Sequence, residues 1–245
     1  MNAALQKFKV RWLSRKASVP VASCVHYGGF RYGHGEYNPY ETYLCQLVQA
    51  VDPAEVRAKF IEFLQHYRPR HLGEALGVEL TRPYPLWFYP WSREMPPAGW
   101  RDRPADCPDI LTHFSAQGIL RYRIEEEFQW LERALDSIRR HGFQPERFKS
   151  PIFVRRLVRM DGATAHLVLD GNHRLSALCA LGHEEVEVSF LPWATLRQDQ
   201  LSRWQQIRQG AYDADDARRV FAVYFEGNHR PRTREEPASL LEANG

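Results

Sequence analysis

An α+β fold follows from three features of the chain. Residues 124–138 carry an amphipathic helical pattern, residues 152–158 and 166–169 read as two paired strands, and the run Asp170-Gly171-Asn172-His173-Arg174 joins an apolar strand to an apolar helix. Together they predict a small mixed sheet with packed helices, preceded by a helical and aromatic extension and followed by C-terminal helices. Residues 1–110 form the extension, 111–195 the core, 196–226 the C-terminal helices and 227–245 a polar, disordered tail.

Each element has its own signal. Lys7, Lys9, Arg11, Arg15 and Lys16 make a basic start with no apolar stretch behind it, which argues against a secretory signal and predicts a solvated tail. Residues 26–43 are rich in glycine and aromatics and predict a long structured loop, either a pocket wall or lid or a loop packing its own rings. Leu44, Leu47, Val48 and Val51 share a helical face. Asp52-Pro53 then caps a second helix carrying Val56, Phe60, Leu64 and Tyr67, which Pro69 ends. Proline and aromatics dominate residues 82–108 and predict an irregular arm with a short strand at 86–89.

Ile124, Phe128, Leu131, Leu135 and Ile138 recur at steps of four and three. Glu125, Glu126 and Glu127 near the start of that helix, and Arg139 and Arg140 near its end, suit the helix dipole, and Gly142 suits a left-handed C-terminal residue. Asp161-Gly162 is a turn between the two strands, and the next helix covers about residues 172–181 with Gly182 as its cap. Val186, Val188 and Phe190 alternate as a further strand closed by Pro192. Leu196, Leu201, Trp204 and Ile207 continue a helical pattern to Gly210, and Ala217, Val220, Phe221, Tyr224 and Phe225 mark the last helix.

Composition narrows the function classes. Thirty-three basic residues against thirty acidic ones leave a formal charge of +3, which gives no general attraction to nucleic acid. Cys24, Cys45, Cys107 and Cys179 are scattered, without metal-ligand spacing or a disulfide framework, as in a reducing cytoplasm. No run is long and apolar enough to cross a bilayer.

The chemistry concentrates at residues 170–174. A helix entrance presents N–H groups without intrahelical partners and the positive end of the helix dipole, an arrangement that holds phosphate. Gly171 allows close backbone approach, Asn172 and His173 add side-chain donors, and Arg174 offers a bidentate fork. His173 can donate to an oxyanion or shuttle a proton. Asp170 can orient it, bind a magnesium ion or accept a hydroxyl proton. The structural alternative is that Asp170-Gly171 only turns the chain while Arg174 pairs with one of Glu125, Glu126 or Glu127.

Ser137-Ile138, Gly142, Pro151-Ile152, Val154, the Leu169 to Arg174 run, Ala177 and Gly182 resemble the ParB/sulfiredoxin superfamily over residues 120–192. That resemblance implies a Gly-x-x-Arg turn that binds nucleotide phosphates through Gly171, Asn172, His173 and Arg174. Asn172 stands where sulfiredoxins carry their cysteine, which argues against that chemistry. His173 replaces the first arginine of the partition-protein turn, and the chain after Pro192 is too short for the domains that follow it there. An Asp-Gly-x-His-Arg turn is similar to the free-serine-kinase branch. It implies ATP or another nucleoside triphosphate, Mg2+ with Asp170 as ligand, a small hydroxylated acceptor, and a carboxylate base among Glu125, Glu126 and Asp170. The expected catalytic set is therefore Asp170, His173 and Glu126. The alternative is a non-enzymatic nucleotide-sensing or scaffold protein, in which the 7 Trp and 11 Tyr serve a protein partner or a homo-oligomer. A DNA-binding or nuclease role comes last.

Overall fold

A computed structural model of the chain describes residues 14–33, 38–67, 69–93, 121–145 and 150–228. The basic residues before position 14, Cys107, the arm beyond residue 93 and the tail from residue 229 lie outside them. The fold is mixed α+β. Its strands are β1 (Arg15–Pro20), β2 (Cys24–Val25), β3 (Phe153–Val158), β4 (Thr164–Asp170), β5 (Glu185–Phe190) and β6 (Leu196–Arg197). Its helices are α1 (Pro39–Val48), α2 (Pro53–His66), α3 (Leu72–Leu76), α4 (Arg121–His141), α5 (Asn172–Ala180), α6 (Gln205–Arg208) and α7 (Ala214–Glu226).

The sheet runs β1-β5-β3-β4-β2, with β6 pairing the end of β3. β3 and β4 form an antiparallel hairpin around Gly162, while β5 joins β3 and β2 joins β4 in parallel. The sheet thus draws strands from both sides of residue 110.

The two faces of the sheet carry separate cores. Val154, Val168, Val186 and Val188 pack with Leu44 of α1, Phe60 of α2, Phe128 and Leu131 of α4, and Leu175 of α5. Leu157, Ala165 and Leu167 pack with Phe221 and Tyr224 of α7 and with Tyr84, Trp91 and Trp204. The alternation of β4 between faces puts Leu167 and Val168 into different cores, as its period of two requires.

Most helix boundaries follow their signals. Asp52 accepts from the Ala54 N–H at 3.0 Å, Gly142 takes φ +70° and Gly182 φ +78°. All five residues of the predicted α4 stripe are buried. Four expectations need correction. Arg15 and Lys16 lie in β1, not in a solvated tail. Ala17 and Val19 alternate with polar neighbours, so the strand turns Val19 into the core while Lys16 pairs with Glu187 at 2.8 Å. The 26–43 loop ends early, because Asn38 accepts from the Tyr40 and Glu41 N–H groups and Pro39 opens α1.

Residues 86–89 are not a strand: Leu86 and Trp87 form a turn, and Phe88 and Tyr89 are irregular. Pro85 and Pro90 remove ladder donors, and Trp87 adopts φ +62°, which breaks an extended run. The 196–207 pattern is not one helix. Leu196 joins β3 opposite Leu157, a 3-10 segment follows over Gln198–Arg203, and only Gln205–Arg208 is α-helical. The arm packs on this segment: the Gln206 side chain donates to the Ser92 carbonyl at 2.7 Å, and Tyr84 stacks on Tyr212 with centroids 3.8 Å apart. Asp216, wholly buried in α7, accepts from the Thr81 N–H at 3.0 Å and from its hydroxyl at 2.5 Å, fixing the start of the arm.

Candidate functional site

β4 delivers Asp170 to the surface, Gly171 turns the chain, and α5 begins at Asn172. Gly171 has φ +97°, and a Cβ there would lie 3.1 Å from the Ile152 Cα and 2.8 Å from an Arg174 nitrogen. The glycine is therefore required on the protein side, where α5 presses against the strand that follows Pro151. No side chain caps α5. Its first-turn N–H groups keep their capacity for an external acceptor, at the positive end of a helix of nine residues.

Arg174 does not offer its fork outward. It is 7 % exposed, and its guanidinium donates to the Ser150 carbonyl and, at 3.2 Å, to the Pro151 carbonyl. Asp170 lies 3.6 Å from it and accepts from the Ser150 hydroxyl at 2.5 Å. Burial lowers the Arg174 pKa, with Asp170 opposing that shift. Arg174 thus ties the turn to the loop preceding β3. The pairing with Glu125, Glu126 or Glu127 weighed from sequence is not its role.

That pairing belongs to His173. Its Nε2 lies 2.8 Å from Glu127 Oε2, and the imidazole donates to the carboxylate. Both are partly buried, the His173 side chain at 29 % exposure and Glu127 at 16 %. The Tyr40 ring stands 6.1 Å from His173, edge to face, and the Trp130 ring 5.6 Å away. Of the three glutamates, Glu125 is exposed and Glu126 half-buried, and Glu127 is the one that reaches His173. The available signal was helical phase. Glu127 lies four residues before Leu131 and beside Phe128, on the flank of the buried stripe that faces α5.

The glycine-aromatic loop forms the wall beneath this pair. Fully buried Tyr32 donates its hydroxyl to Asn172 Oδ1 at 3.0 Å, orienting the first residue of α5. His26 lies between Tyr27 and Tyr40, with its Nδ1 accepting the Gly28 N–H at 3.0 Å. His26, Tyr32 and Tyr40 lie in the 26–43 segment that the sequence marked as a pocket wall or a self-packing loop, but their individual partners, like Trp130, were not singled out, since they depend on contacts distant in the chain.

Burial, with the nearby His173 adding to it, lowers the His26 pKa to about 3; burial of His166 lowers that pKa to about 4. Both imidazoles are neutral when folded. The unfolded chain takes up protons below the ordinary value of 6.5, so the stability they provide is complete above that value and is lost as pH falls towards 3 to 4. His26→Asn keeps an acceptor for Gly28 and removes one titrating group. Wild-type unfolding free energy, followed by urea titration between roughly pH 6 and 4, is expected to fall about 1.4 kcal/mol more per pH unit than that of the variant. Parallel slopes would show that His26 does not titrate in this way.

Asp170 suits magnesium only as a single carboxylate sharing the ion with substrate phosphates. Among the described residues no group of three or more His, Cys, Asp or Glu side chains could hold a metal by itself. Cys24, Cys45 and Cys179 are free thiols, and no described helix is long and apolar enough to cross a membrane. No protein-family model matches the chain, and searches of curated proteins and of solved structures give no significant match.

Proposed function

We propose that the chain is a nucleotide-binding protein of ParB/sulfiredoxin type that transfers the terminal phosphoryl group of ATP or another nucleoside triphosphate to a small hydroxylated metabolite. The observation that carries this reading is the Glu127–His173 pair, 2.8 Å apart, which brings a carboxylate of α4 to the first turn of an α5 that no side chain caps. The order helix, β3–β4 hairpin, turn and helix in residues 121–180 also supports it.

The chemistry follows from the pair. Glu127 accepts a hydrogen bond from the Nε2–H of His173, which leaves Nδ1 as the basic nitrogen. Nδ1 accepts the proton of the acceptor hydroxyl. The hydroxyl oxygen bonds to the γ-phosphorus, the bond to the β–γ bridging oxygen breaks, and the nucleoside diphosphate leaves. The N–H groups of Asn172 and His173 hold phosphate oxygens, and Arg174 positions the turn from behind. Asp170 is the residue that would hold Mg2+, which when bound neutralises phosphate charge.

The scaffold alternative relied on aromatics free for a partner. Trp91, Trp204, Tyr84 and Tyr224 are instead buried in the second core. Among the described residues the large exposed apolar side chains are Trp130, Met160, Leu169 and Trp193.

Calorimetry of the purified chain with ATP, ADP and CTP in magnesium should show binding. Nucleoside diphosphate release in the presence of a pool of hydroxylated metabolites should show turnover. His173→Gln and Glu127→Gln are each expected to lower turnover by roughly 10²- to 10⁴-fold, the range of a lost general base. Absence of heat with every nucleotide overturns the reading. Binding without turnover, with a change in oligomer size, favours the scaffold.

A further inference from the structure

Arg155 sits in the middle of β3 opposite Leu167 of β4, on the sheet face that carries the second core and away from α5. On the other flank of β3, β5 pairs only with Phe153 and Val154, and β6 only with Leu157 and Val158. Arg155 and Arg156 therefore lie at a notch in the sheet, between the end of β5 and the start of β6.

Arg155 is half-buried, and its Nε is enclosed without a hydrogen-bond partner. Burial lowers its pKa and the charge of nearby Arg93 lowers it further, with no carboxylate among the described residues opposing the shift. Neighbouring arginines are matched: Arg159 pairs with Asp161, and Arg197 of β6 with Asp199 at 3.1 Å. Arg93 is exposed, and its carbonyl accepts from the Gln205 side chain at 2.8 Å, which fixes the backbone there against the start of α6. Two guanidinium charges are thus held within reach of each other, and the more buried one has no counter-charge. Such an arrangement costs free energy until an anion joins it.

We propose that Arg155 and Arg93 form a second oxyanion site, separate from the turn at residues 170–174, for an ion of charge −2: inorganic phosphate or a phosphomonoester. Two positive charges match a dianion, and the planar guanidinium suits its paired oxygens. The orphaned Nε–H gains an acceptor when the ion binds. A carboxylate of charge −1 would leave one guanidinium uncompensated. The site lies on the opposite face of the sheet from α5 and does not rest on the phosphotransfer reading.

The test is calorimetric titration of the wild-type chain, Arg155→Met and Arg93→Met with inorganic phosphate, glycerol phosphate and acetate, at constant ionic strength in sodium chloride. The wild type should bind one phosphate whose Kd each substitution weakens by roughly tenfold or more, the effect of a lost charge-assisted hydrogen bond. That loss is expected with or without a further ion at the α5 turn. Arg93→Met alters an exposed side chain, so it carries the test if Arg155→Met does not fold. Binding of glycerol phosphate as well identifies an ester site, and binding of phosphate alone identifies the free ion. Wild-type affinity in either folded variant overturns the site, as does absence of phosphate binding in the wild type or acetate binding as tightly as phosphate.

Discussion

Gly171→Ala is expected to lower the unfolding free energy by about 3 kcal/mol and the melting temperature by roughly 10 °C. Two costs combine. An alanine at φ +97° is strained whatever surrounds it, and its Cβ would lie 3.0 Å from the Ile152 Cγ1 and 3.1 Å from the Ile152 Cα. The nearer Arg174 nitrogen, at 2.8 Å, belongs to a side chain already fixed by two carbonyls. Gly162 separates the two costs. It has φ +87° with nothing within 4 Å of an added Cβ. Gly162→Ala should therefore show only the conformational part, about 1 kcal/mol. Thermal unfolding of both variants reads the difference directly. Equal losses at the two positions would mean that α5 moves away from Ile152 at no cost.

Arg174→Met should destabilise by a similar amount, about 3 kcal/mol. The substitution keeps much of the side-chain volume but removes the donors to the Ser150 and Pro151 carbonyls and the partner of Asp170. Arg174→Lys should recover little, because one ammonium cannot reproduce the planar fork that spans both carbonyls. Urea midpoints of the two variants test this. A loss within 0.5 kcal/mol, roughly the effect of an ordinary surface change, would show that the guanidinium is not what holds the turn. Phosphate binding should weaken in these variants only as far as the turn loosens.

The sequence signals differed in reach. Helices α2, α4, α5 and α7 were legible because their caps and apolar spacing are local. So was the β3–β4 hairpin, with Asp161-Gly162 between matched runs. β1 was not, because six residues with one buried position look like a tail until β5 lies beside them. At the candidate site, the turn and the position of His173 on the first turn of α5 were visible in the residue order. Arg174 was legible as a buried-type or phosphate-type guanidinium alike, and only the position of the Ser150 and Pro151 carbonyls decides its direction. Glu127 could be separated from Glu126 only by where α4 sits on α5.

The pairing of β1 with β5 also sets an order on folding. The hairpin and α5 close loops of a few residues, whereas Arg15 meets Phe190 across most of the chain. The entropy of closing so long a loop is recovered only after β5 already rests on β3, so the early strand is the late arrival. Until it docks, β5 is a bare sheet edge with Val186 and Val188 in its ladder, the kind of edge that recruits a neighbouring chain. The segment around Lys16 and Ser18, whose partners are Glu187 and Glu185, thus covers in the finished sheet the edge that β5 would otherwise expose.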